Sequence, residues 1–133
     1  MQSVPAKSLT ITFRGYASKK NQWRPRKGGK GIFLDRRARL MIERMELQVP
    51  AEARDLKLEH PNMIWSFQYT NGHIDRDGII ATVLDILQKY GVITNDDISH
   101  CNGQWTIFPA LRGEYDEVTV TLYPQSNVGQ VKP

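Results

Sequence analysis

Leu9, Ile11 and Phe13 alternate with Thr10, Thr12 and Arg14. That two-residue period predicts a strand with one buried face, ended by Gly15. The following stretch, YASKKNQWRPRKGGKG over 16–31, has no period and carries Pro25 and three glycines, so it predicts an exposed, mobile loop. Asp35 then stands where a helix N-cap would, and Ala38, Met41, Ile42 and Met45 recur at helical spacing, which predicts a basic-faced helix of about three turns ending before Pro50. Between Pro50 and Pro61 there is room for a short helical piece. Trp65, Phe67 and Tyr69 alternate with Ser66 and Gln68 as a second strand, closed by the turn dipeptide Asn71-Gly72. Next comes the best-marked element, a helix with Asp77 as N-cap, an apolar face of Ile79, Ile80, Val83, Leu84, Ile86, Leu87 and Tyr90, and Gly91 at C′. Ala81, Asp85 and Gln88 fall on its opposite face. Strand-like stretches are expected at Val92–Thr94, roughly Ile98–Phe108 and Glu117–Tyr123, and a frayed tail from Pro124. The order of elements predicts an α/β (α+β) single domain, a mixed β-sheet with helices packed mainly on one face.

Composition sharpens this in three ways. A chain of 133 residues, 40% hydrophobic and 24% charged, suits one folded domain over 1–133 and excludes disordered, collagen-like and disulfide-stapled molecules. Cys101 is the only cysteine, so no intrachain disulfide can form and a reducing compartment is the simpler expectation. The start, MQSVPAK, has no apolar signal region, and the best apolar run, Ile79–Leu87, is short and broken by Asp85. A soluble cytoplasmic protein with no membrane partner is therefore expected.

Charge changes the picture most. Ten of the 18 basic residues lie between Lys19 and Arg44 against only Asp35 and Glu43, a local surplus of eight positive charges. Five acids lie between Asp75 and Asp97. A concentrated basic segment attracts polyanions, and nucleic acid is the commonest. Within the 16–31 loop, Lys19, Lys20, Arg24, Arg26, Lys27 and Lys30 surround Trp23, giving phosphate contacts and one aromatic that can stack on a base. Trp65, Phe67 and Tyr69 read instead as sheet core.

The acids make two pairs. Asp75-Arg76-Asp77 leads into the long helix and Asn95-Asp96-Asp97 follows it. If Val92–Thr94 runs antiparallel back along the helix, Asp96 and Asp97 return to Asp75 and Asp77. Three or four carboxylates that close together repel one another unless a cation or protons neutralise them. All-oxygen ligation suits Mg²⁺ or Mn²⁺, which can activate water and offset phosphate charge. Taken separately, Asp77 is an ordinary cap and 95–97 an ordinary turn.

The segment DRDGIIATVLDILQKYGVITNDD, Asp75–Asp97, resembles the signature of the RusA family of phage and prophage Holliday-junction resolvases: a D-x-D pair, a helix and a short strand closing on D-D. The flanking elements follow that family's order more loosely. The resemblance implies that Asp75, Asp77 and Asp97 are catalytic, metal-binding carboxylates, with Asp96 a further acidic ligand candidate and Asp85 also matching an acidic position. It implies a Mg²⁺- or Mn²⁺-dependent endonuclease of DNA recombination and repair that cleaves branched DNA as a homodimer, since resolving a four-way junction takes two cuts. Gly78 stands where the family usually has Asn. Ala81 stands where it usually has a lysine placed to stabilise charge on the phosphate.

Other chemistry has less behind it. His60, His73, His100 and Cys101 lack zinc-site spacing, and Gly28-Gly29 lacks the Lys-Ser/Thr of a phosphate loop. Two competing expectations remain beside the endonuclease. A non-catalytic DNA-binding protein on the same fold accommodates Ala81, and an RNA-binding module uses the basic segment but leaves the acids unexplained.

Overall fold

In the computed structural model, which describes residues 8–18, 23–25, 32–34, 36–94 and 103–124, the first alternating stretch is strand β1, Leu9–Arg14, with Ile11 and Phe13 buried and Thr10, Thr12 and Arg14 exposed. It pairs antiparallel with β7, Glu117–Tyr123, along its whole length. On its other side β7 pairs antiparallel with β4, Asn62–Tyr69. Two short strands, β5 (Trp105–Ile107) and β6 (Leu111–Arg112), lie parallel to β4 at successive positions along it. The result is a mixed five-stranded sheet in the order β1-β7-β4-β5, with β6 also against β4.

Period-two patterning makes this sheet two-faced. Ile11, Phe13, Met63, Trp65, Phe67, Val118, Val120 and Leu122 are all buried. The opposite face carries hydroxyls: Thr10 with Thr121 and Thr12 with Thr119 share hydrogen bonds of 3.0 Å across the β1–β7 pair. Arg14 Nε closes that row on Glu117 Oε2 at 2.9 Å. Trp65 and Phe67 are core, as their alternation predicts, while Tyr69 is only half-buried.

Two helices cover the apolar face. Helix α1, Arg36–Leu47, turns Ala38, Ile42 and Met45 inward; Asp35, its expected cap, lies outside the described residues. Helix α2, Arg76–Lys89, buries Ile79, Ile80, Val83, Leu84, Ile86 and Leu87, and leaves Ala81, Asp85 and Gln88 exposed as the wheel predicts. Thr82 is buried as well, its hydroxyl donating to the Gly78 carbonyl at 3.0 Å within the helix. Glu46 ties the helices together, accepting from Lys89 Nζ at 3.0 Å and from the Tyr90 hydroxyl at 2.9 Å. The hydrogen bond and charge of Glu46 hold the Lys89 ammonium above its ordinary pKa. Gly91 terminates α2 at φ 73°, with Gly91 N–H donating to Gln88 O (3.1 Å) and Val92 N–H to Leu87 O (2.8 Å), the Schellman pattern.

The structure departs from the sequence expectations in four places. Helix α2 is capped by Asp75 rather than Asp77, which lies in its first turn. Val92–Thr94 is no sheet strand. Its only bridge among the described residues is a parallel one from Ile93 to Leu58, and Val92 and Ile93 are buried in the core beside the end of α2. The stretch expected as strand over 98–108 is strand only at Trp105–Ile107 among the described residues, and β6 has no sequence signal because two residues are too few for a period. Finally, the 16–31 stretch is not all loop: β2 (Trp23–Pro25) pairs antiparallel with β3 (Ile32–Leu34) in a separate ribbon. The short helical piece after Pro50 is a single 3₁₀ turn, Ala51–Ala53. The expected frayed tail lies almost wholly outside the described residues.

No helix among the described residues is long and apolar enough to cross a membrane. The two-faced sheet makes a direct prediction for equilibrium urea denaturation. Trp65→Ala, in the centre of the buried face, should cost about 3–5 kcal/mol, whereas Thr12→Ala on the hydroxyl face should cost under about 1 kcal/mol.

Candidate functional site

Asp75 and Asp77 take their places at the start of α2 for a local reason. The side chain of Asp75 accepts the Gly78 backbone N–H at 3.1 Å through Oδ1, supplying one of the partners that the first turn of a helix lacks. Asp77 then falls in that first turn, where a negative charge complements the helix dipole. Both residues are exposed. Ala81 is one turn beyond Asp77 on the same exposed side, followed by Asp85.

The second oxygen of Asp75 is also engaged. Oδ2 accepts the Ser18 hydroxyl at 3.1 Å, so the chain just before Lys19 is held at the carboxylate. Gly78 makes that approach feasible. A Cβ at 78 would collide with Ser18 Oγ and Asp75 Oδ2 and would lie 2.9 Å from Ser18 Cβ. Glycine in a helix costs about 1 kcal/mol relative to alanine, so the fold carries that cost here in exchange for space.

Next to Asp75 opens a cleft of about 640 Å³, walled by Tyr16–Ser18, by Arg37, Ala38 and Met41 of α1, and by His73, Ile74, Asp75 and Ile79. Its walls differ in charge. Arg37 belongs to the first turn of α1, which contains no acid, and lines the cleft along with Asp75. Tyr16 forms part of the floor, its hydroxyl donating to the Gln68 carbonyl at 3.1 Å. Burial, reinforced by the charge of Asp116, pushes its pKa up to about 12. On another side of the α2 start, Arg76 Nη1 donates to the Phe108 carbonyl at 3.4 Å, and the Phe108 side chain is half exposed.

The predicted site residues divide as follows. Asp75 is the N-cap of α2 and Asp77 lies in its first turn. Asp96 and Asp97 lie outside the described residues, as do Lys19, Lys20, Arg26, Lys27 and Lys30; Trp23 and Arg24 belong to β2. Among the described residues no group of three His, Cys, Asp or Glu side chains converges on a common point that could hold a metal. The donor type of Asp75 and Asp77 nonetheless fits a hard divalent cation. A carboxylate has about four lone-pair positions, and among the described residues two bonds to Asp75 are seen, from Gly78 N–H and Ser18. Sequence reasoning missed Ser18, Arg37 and His73 as cleft residues, because nothing in their local pattern distinguishes them from ordinary surface. Only the Ser18–Gly78 contact leaves a trace, a glycine inside an otherwise strong helix.

No protein-family model matches this chain, and no curated protein matches it.

Two expectations follow from this geometry. Asp75→Ala should lower stability to urea by about 0.5–2 kcal/mol through loss of the cap, while Asp75→Asn, which can still accept from Gly78 N–H, should stay within about 0.5 kcal/mol of wild type. In a spectrophotometric titration of phenolate absorbance, one tyrosine should ionise near pH 12, and Tyr16→Phe should remove that step. The unfolded chain releases the same proton near pH 10. The contribution of Tyr16 is therefore complete below pH 10 and is lost as pH rises from 10 through 12.

Proposed function

We propose that this protein is a Mg²⁺- or Mn²⁺-dependent, structure-selective endonuclease that cleaves branched DNA by phosphodiester hydrolysis, acting in the cytoplasm as a homodimer. The observation that carries the reading is the placement of Asp75 and Asp77 in the cap and first turn of α2, with Asp75 lining a cleft that Arg37 and Ser18, the residue before the basic segment, also line. The resemblance of 75–97 to the resolvase signature supplies the reaction class and adds Asp97, with Asp96 beside it, as the remaining acidic ligands.

When bound, the metal supplies Lewis acidity, activating water and offsetting phosphate charge. Asp75 and Asp77 hold it. Because Asp75 is fixed at both oxygens and sits on a buried helix, its carboxylate needs little reorganisation on binding. Arg37 lines the cleft, where its charge favours a phosphate. Lys19, Lys20, Arg24, Arg26, Lys27 and Lys30 hold neighbouring phosphates of the duplex arms, and Trp23 stacks on a base opened at the branch. Two-fold assembly supplies the second cut.

One observation favours a non-catalytic DNA-binding protein on the same fold as the second reading. Ala81 is exposed one turn from Asp77, so that position offers no cation to the phosphate. A labelled four-way junction separates the two readings. With Mg²⁺ the wild type should nick the junction in preference to plain duplex. Asp77→Asn should abolish cleavage yet keep or improve junction affinity, since it removes a ligand and a charge that repels phosphate. Ala81→Lys should raise the single-turnover rate, with about 10²- to 10³-fold as the ceiling for one electrostatic donor. A wild type inert in both Mg²⁺ and Mn²⁺, with Ala81→Lys equally inert, would leave the binding-protein reading in its place.

A further inference from the structure

Strand β1 forms one edge of the sheet, with β7 as its only strand neighbour among the described residues. We propose that this edge, together with helix α1 beside it, is the surface through which two copies of the chain associate, β1 of one pairing antiparallel with β1 of the other so that the two sheets run on as one; this rests on the reading of the protein as a homodimer.

The direction of the backbone groups along β1 follows from its end. Arg14 N–H donates to Gln48 Oε1 at 2.7 Å and the Arg14 carbonyl accepts from Gln48 Nε2 at 3.1 Å, so both groups of Arg14 point away from β7. Gly15 N–H points the other way, donating to the Asp116 carbonyl just before β7. Directions alternate along a strand, so Leu9, Ile11 and Phe13 bond to β7 while Thr10 and Thr12 turn their N–H and C=O outward. Among the described residues nothing bonds to those outward groups. Gln48 imitates a neighbouring strand at Arg14 and closes that end of the edge. The rest of β1 has no proline, lysine or bulge, the devices that keep an edge from pairing.

These open residues complement themselves. About a two-fold axis beside Ile11, Thr10 of one copy lies opposite Thr12 of the other, and each such pair exchanges both N–H···O bonds. Their side chains continue the hydroxyl row already made by Thr10 with Thr121 and Thr12 with Thr119. So short a strand pairing covers much less than the roughly 800 Å² per partner of a stable interface, and the occupant must also cover what flanks the edge. That flank is α1: Gln48 reaches Arg14, and the Met41 sulfur lies 3.1 Å from where a Cβ on Gly15 would stand. Leu40 and Leu47 of α1 recur at heptad spacing, are 48% and 81% exposed, and line a groove of about 380 Å³. An isolated peptide strand would leave them in water. A second copy brings strand and helix to the edge under one axis, as an isologous interface requires.

The test is sedimentation velocity of the full chain across micromolar concentrations, with amide exchange read residue by residue by NMR on the same samples. Salt is held at about 0.15 M, where a Debye length of about 8 Å screens the α1 arginines of the two copies from one another. The wild type should be a dimer in which the Thr10 and Thr12 amides exchange slowly; dilution to monomer should expose those two while Ile11 and Phe13 stay protected by β7. Thr12→Pro removes an outward N–H and no bond to the β7 backbone, a change that edge strands tolerate, and should weaken dimerisation at least about tenfold. Leu47→Glu, at an exposed position that the monomer's fold does not need, should weaken it by a similar factor and carries the test if the proline variant loses protection at Ile11 and Phe13. A dimer whose Thr10 and Thr12 amides exchange as fast as in the monomer, or whose affinity is unchanged in Leu47→Glu and in a folded Thr12→Pro, would overturn this interface and leave the homodimer reading standing. A wild type that stays monomeric with and without four-way junction DNA would overturn both.

Discussion

Burial of α2 against one face of the sheet is the constraint on which the remaining geometry depends. Six aliphatic side chains of this helix are withdrawn from water, each contributing about 1.5–3 kcal/mol, and they meet Trp65, Phe67, Val118, Val120 and Leu122 from the strands in a single cluster. A helix packed over so much of its circumference has no freedom to rotate or slide. Its two ends are therefore fixed points: the C-terminal one by Gly91 and the Glu46 contacts, the N-terminal one by the Asp75 cap.

That rigidity gives two exposed acids a defined place. The two oxygens of Asp75 are divided between the helix and the crossing segment: Oδ1 accepts from Gly78 N–H and Oδ2 from the Ser18 hydroxyl. Electrostatics then divides the neighbourhood: the start of α2 carries Asp75 and Asp77, while the first turn of α1 carries arginines and no acid. Cations at the positive end of a helix are unfavourable for folding, by a few tenths to about 1 kcal/mol each, and they suit a surface that meets an anion. The hydroxyl face of the sheet, by contrast, satisfies itself through threonine pairs.

The fold was legible wherever a period ran long enough to be counted. Leu9–Arg14, the alternation around Trp65 and Phe67, and Glu117–Tyr123 are strands as their patterns predict, and both helices lie where apolar spacing put them. Short elements escaped, because β2, β3 and β6 have only two or three residues each and take their conformation from a neighbour's hydrogen bonds, while β5 occupies three residues of the longer stretch expected over 98–108. Val92 and Ile93 misled for a related reason: two β-branched residues after a helix look like a strand, yet their backbone groups pair with the end of α2 and with Leu58.

By itself the sequence determined the mixed α+β character, the identity of most core residues, the basic segment and the presence of an acidic pair leading into α2, since each depends on local composition or on a period along the chain. Tertiary structure alone decided that Asp75 rather than Asp77 caps the helix, which depends on one residue of register. It also decided that Ser18 reaches Asp75 across 57 residues, through a gap left by Gly78. Such contacts are set by how a packed helix and a crossing segment share a few cubic ångströms, and no pattern of neighbours along the chain encodes that.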